Sequence, residues 1–169
     1  MNKPEISIYE SMNTHDLIHE YKLGYEKIPK DILYLDEEKI NLRFKKEDHA
    51  GLWSCKEIIG HIADAEVAVT HRLRRIYSED KPKLAIWDEE QFFRSGIYEL
   101  NSIQEYLESI KSIRGLTAST LEKFTEKDFS RVAIHPERGE ISVKEIFSYI
   151  TWHLVYHSWY LTRKIELLK

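Results

Sequence analysis

Residues 142–169 read SVKEIFSYITWHLVYHSWYLTRKIELLK, and their spacing decides the fold. Ile146, Ile150, His153, Leu154, His157, Leu161 and Ile165 fall on one side of a helix. Ser142 with Glu145 three residues on is a capping box, which starts that helix. The stripe is apolar except at its two imidazoles. Residues four apart share a helix face, so His153 and His157 can aim ring nitrogens at one point, as metal ligands do. The same spacing also suits ordinary core histidines bonded to carbonyls or carboxylates.

Working back along the chain, Ser54 and Glu57 form a second capping box, opening a helix to about Tyr77. Ile58, Ile62, Ala65 and Val69 mark its buried side, and His61 lies beside them as a third interior imidazole. Ser54-Cys55-Lys56-Glu57-Ile58 echoes Ser142-Val143-Lys144-Glu145-Ile146, which fits either two independent caps or a pseudo-symmetry. Two further helices complete the set. One spans about Thr14 to Ile28, with Leu17, Ile18, Tyr21, Tyr25 and Ile28 in step before Pro29; the other runs from Ser102, boxed by Glu105, to about Phe124.

Lys81-Pro82 ends the second helix, and a long connection carries a short acidic helical piece around Asp88 to Arg94. Thr125–Phe129 and His135–Gly139 form the last connection. The expectation is an all-α protein, residues 1–169 forming a single domain of four long helices with a long crossover between the second and third.

Composition excludes several classes of function. Acidic and basic residues, 29 and 25, are mixed along the chain to a net charge of -4, so no basic face is available for nucleic acid. No apolar run approaches the length of a membrane span, and the first residues lack the apolar middle of a secretory signal. A cytoplasmic protein is expected. The lone Cys55 cannot form an internal disulfide; at a helix start it is either a reactive thiol or, more commonly, a small buried residue.

Three neutral imidazoles supply three positions around a tetrahedral ion and leave the fourth open for water or substrate. Asp64 is a candidate proton relay. Asp64 or Glu66 could also steady a ligand ring, and surface pairing with Arg72, Arg74 or Arg75 is the alternative for each. Trp53, Tyr149, Trp152 and Tyr156 are pocket candidates, with Trp159 and Tyr160 nearby; packing alone explains many aromatic residues at such spacing. His15 and His19 stand among solvated groups, His71 lies among arginines, and His49 and His135 belong to loops.

The segment Trp53-Ser54-Cys55-Lys56-Glu57-Ile58-Ile59-Gly60-His61-Ile62-Ala63-Asp64-Ala65-Glu66 resembles the signature of the DinB-like superfamily, in its YfiT-like branch. Ile141-Ser142-Val143 through His157 resembles the second half of that signature, and Trp87-Asp88-Glu89-Glu90 to Phe93 the acidic crossover. The resemblance implies a four-helix bundle in up-down-down-up order, usually a homodimer, with one divalent metal, zinc or nickel, on His61, His153 and His157. It also implies a small-molecule substrate, with thiol-dependent S-transfer from a bacillithiol-like cosubstrate as the leading expectation. Hydrolysis of small amides or esters at the same centre is the alternative, and a non-enzymatic, stress-related metal-binding dimer is a third. Trp152 before His153 and Ser158 after His157, where another histidine is frequent, depart from common versions of the pattern.

Overall fold

The computed structural model describes residues 2–169. Four long helices carry the architecture. In chain order, α1 (Ile6–Glu10) and α2 (Thr14–Gly24) are followed by two short turns and α3 (Glu37–Asn41); α4 (Cys55–Ser78) leads to α5 (Glu89–Ser95) and α6 (Ile103–Leu121). A short α7 (Glu126–Phe129), β1 (Val132–His135) and β2 (Gly139–Ser142) precede α8 (Val143–Leu167). The bundle is α2, α4, α6 and α8: α4 packs on both α6 and α8, and α2 bridges α6 and α8 from the other side. Residues 79–102 link α4 to α6, a length sufficient to cross the bundle.

The helix starts lie where the chain's polar punctuation puts them. Ser54, Ser102 and Ser142 each accept a bond from the backbone N–H of Glu57, Glu105 and Glu145, whose carboxylates accept the serine N–H in return. Each box satisfies two of the four donors that a helix N-terminus leaves open. The first helix is shorter than the spacing implies, giving way to a tighter turn at Tyr25–Lys27 ahead of Pro29.

Two features correct the sequence reading. The connection before α8 is not wholly irregular: β1 and β2 pair antiparallel as a hairpin, with Gly139 at φ +74°. The hairpin is anchored to the crossover, where Leu84 N–H donates to Ile134 O and Ile134 N–H to Pro82 O, both at 2.9 Å. Glu66 is not on the surface. It is fully buried, accepts from Tyr21 Oη at 2.6 Å, and ion-pairs with the equally buried Arg114, whose guanidinium also donates to Tyr21 O. This cluster ties α2, α4 and α6 together. Gly24 makes room for it, since a Cβ there would lie 2.5 Å from Arg114 Nη2.

Among the described residues no helix is long and apolar enough to cross a membrane.

Candidate metal centre

His61 on α4 and His153 on α8 are almost wholly enclosed, 1% and 3% exposed, and their Nε2 atoms lie 3.0 Å apart. His157, one turn further along α8, is partly buried, with its ring 4.8 Å from that of His61 and 4.5 Å from that of His153. One ring nitrogen from each falls within 4.8 Å of the others. Two nitrogens on one tetrahedral ion, at the usual zinc–nitrogen distance of about 2.1 Å, sit roughly 3.4 Å apart, so the cluster fits such an ion with small side-chain adjustments.

Burial sets the protonation of the cluster. It pushes His61 down to about 4 and His157 down to about 3, the latter helped by His61 and Lys3. His153 is held well below the ordinary imidazole range, by burial first and then by the two neighbouring rings. All three are therefore neutral near pH 7, the form that donates a lone pair to a metal. Among the described residues, His61 Nδ1 and His153 Nδ1 are buried without a hydrogen-bond partner, and aromatic rings pack against His61. Trp87 stacks on His61 at 5.3 Å and 13°, and Trp53 meets it edge-on at 5.1 Å.

The cluster opens into a cavity of about 420 Å³. Trp53, Tyr149, Trp152 and Tyr156 all line it, as does Tyr160, whereas Trp159 is not part of the wall. The N-terminal segment reaches the same wall. Lys3 Nζ donates to Tyr160 Oη at 2.9 Å and lies 4.6 Å from the Tyr156 ring centre, and Trp152 Nε1 donates to Pro4 O at 3.0 Å.

The acidic candidates are redistributed. Asp64 does not line the cavity: three residues beyond His61 it is turned about 60° around the helix, and its charge acts on Tyr98 and Tyr106. Glu66, about 140° around, serves the buried Arg114 cluster instead of a ligand ring. The carboxylate that reaches the site is Glu89, the first residue of α5, with Oε2 3.9 Å from His61 Nε2. Burial, then Glu90, Asp88 and Glu137, raise its pKa. Its only signal in the sequence was its place in the acidic crossover.

The remaining candidates stay outside. His15, His19 and His71 are exposed, and His49 lies in a loop as read, whereas His135 is not in a loop but is the last residue of β1, paired with Gly139. Cys55 is wholly buried, and burial pushes its thiol up to about 11, so it is a packed apolar residue and not a nucleophile. Lys164, also buried, donates to Gly51 O at 2.8 Å and so holds the loop that lines the cavity opposite α8.

Fold and site together define a helical bundle whose core carries a three-histidine candidate metal centre under an aromatic cavity. The chain belongs to the DinB superfamily, whose sequence profile matches residues 24–161. A protein of Oceanobacillus iheyensis that carries the provisional name metal-dependent hydrolase is 25% identical over 154 residues, 88% of this chain and 86% of that one. A Geobacillus thermodenitrificans protein of the same provisional name is 25% identical over 126 residues, 73% of this chain and 68% of that one. The fold is that of YfiT from Bacillus subtilis, described as an inferred metal-dependent hydrolase with an unusual four-helix bundle topology. The TM-score is 0.83 at 17% identity, covering 99% of this chain and 93% of YfiT.

Proposed function

We propose that the protein is a metal-dependent enzyme acting on a small molecule, with hydrolysis of an ester or amide as its first reading. The observation that carries it is the convergence of three neutral histidines at the floor of an aromatic cavity, with a carboxylate at 3.9 Å. The provisional names of the relatives agree with it. A divalent ion on His61, His153 and His157 would act as a Lewis acid and bring the pKa of a bound water or thiol toward neutrality. Zinc and nickel both suit three imidazoles.

The chain's own residues supply the rest. His61, His153 and His157 present lone pairs without first losing protons. Glu89 Oε2, raised in pKa, takes the proton of the attacking nucleophile and returns it to the leaving group. Trp53, Tyr149, Trp152 and Tyr156 hold the apolar part of the substrate and exclude bulk water. Asp64 acts only indirectly in this scheme, through Tyr98 beneath the site.

Thiol S-transfer is the second reading, favoured by a cavity of about 420 Å³ with no cysteine on its wall, so that the nucleophile would come from a low-molecular-weight thiol. The zinc-loaded protein, incubated with p-nitrophenyl acetate and separately with an electrophilic bimane with and without bacillithiol, separates the two. Ester turnover without thiol supports hydrolysis, and bimane turnover only with bacillithiol supports transfer. No turnover in either, with a large loss of thermal stability on chelation, would leave a non-enzymatic metal-binding protein. Homodimer formation belongs to the same proposal and predicts sedimentation at twice the 20.2 kDa of one chain.

A further inference from the structure

A second cavity, of about 350 Å³, adjoins the histidine pocket and shares Tyr149 and Glu89 with it. It lies between α4, the crossover segment Ile86–Asp88 and the hairpin turn, and two arginines, Arg72 and Arg138, face it. Neither forms an ion pair with a carboxylate among the described residues. Arg72 is partly buried and donates one bond, Nη2 to Ala85 O at 3.0 Å. Arg138 lies over the Tyr149 ring at 5.0 Å, and that ring is 5.5 Å from the ring of His153. One aromatic ring therefore separates an arginine pair from the metal ligands.

We propose that Arg72 and Arg138 form a subsite for the carboxylate of a substrate whose reacting group lies at the histidine cluster and whose middle crosses Tyr149. The inference rests on the reading of the histidine pocket as the reacting centre. A guanidinium withdrawn from water without a counter-ion is desolvated at a cost that an incoming anion offsets, and its planar fork matches a carboxylate. Burial lowers the Arg72 pKa and the Arg138 charge lowers it further, while Glu137 opposes both. The acidic groups on the other side set the charge of the ligand. Asp88 is engaged in capping α5 through Gln91, but Glu89 and Glu137 remain. They disfavour a dianionic phosphate more than a singly charged carboxylate.

The test uses the full chain loaded with zinc and three probes: phenylacetate, phenylacetamide and phenyl phosphate. Binding is followed by NMR through the side-chain Nε–H signals of Arg72 and Arg138. Phenylacetate should shift both signals and bind about tenfold more tightly than the amide, a gain of the order a charge-assisted pair supplies. Arg72→Gln and Arg138→Gln should each bring phenylacetate down toward the amide while leaving zinc stoichiometry unchanged. Arg138 is exposed on the hairpin turn, so its variant keeps the test free of folding defects. Equal binding of acid and amide, unchanged affinity in both variants, or tighter binding of phenyl phosphate would overturn the proposal. Arginine shifts without ester turnover would support the subsite while removing the reaction; ester turnover without a carboxylate preference would do the reverse.

Discussion

At the scale of single residues, the inward placing of the three histidines was readable because helical period and burial pattern are local properties. His153 and His157 are fixed to one face by a four-residue step, and His61 by its apolar neighbours Ile62 and Ala65. Asp64 and Glu89 show where that logic stops. Asp64 is close to His61 in sequence but turned aside by the helix, whereas Glu89 arrives from a separate element that no periodicity connects to α4. Replacing Glu89 by Gln should lower turnover by about 100-fold, the range of a single general base, with zinc content unchanged; steady-state kinetics beside metal analysis checks both. The histidines also make stability depend on pH. Unfolded, they titrate near an ordinary value of about 6.5; folded, burial depresses all three, His61 to about 4 and His157 to about 3. Between those limits the unfolded chain binds more protons, so the stability present above about 6.5 is lost as pH falls through that window. Urea midpoints of the metal-free protein should therefore drop from pH 7.5 to pH 5, and a flat profile would contradict neutral, buried imidazoles.

At the scale of elements, the helix starts were legible to the residue because a serine and a glutamate three apart satisfy backbone donors locally. Ser142→Ala should cost about 1 kcal/mol in urea unfolding, loosening the turn that leads into the helix carrying His153 and His157. The hairpin was not legible. Its strands, Val132–His135 and Gly139–Ser142, are four residues each, too short to show alternation, and they are stabilised by the crossover backbone at Pro82 and Leu84. Gly60 is a second case of a demand set by a distant element: a Cβ there would lie 2.8 Å from Tyr98 Cδ1. Gly60→Ala should destabilise by about 1–3 kcal/mol, the usual cost of overpacking, despite the better helix propensity of alanine. Thermal unfolding of that variant measures it, and a rise in midpoint would mean that Tyr98 moves freely.

At the scale of the whole molecule, the bundle was readable from four amphipathic segments, but the contact that locks three of them was not. Tyr21, Glu66 and Arg114 are separated by 45 and 48 residues, and nothing local marks Glu66 as buried. Removing one partner of such a pair leaves a charge uncompensated in the core, so Arg114→Met should cost about 3–5 kcal/mol, read by chemical denaturation. The same assembly places α4 and α8 side by side and so brings His61 to within 3.0 Å of His153 across 92 residues of sequence. The reaction proposed for this protein depends on that meeting point holding an ion. Elemental analysis of the protein after purification and reconstitution, beside His153→Ala and His157→Ala, tests it most directly. One divalent ion per chain in the wild type, lost from both variants, is the predicted result; a wild type that takes up no stoichiometric metal even after reconstitution would contradict it.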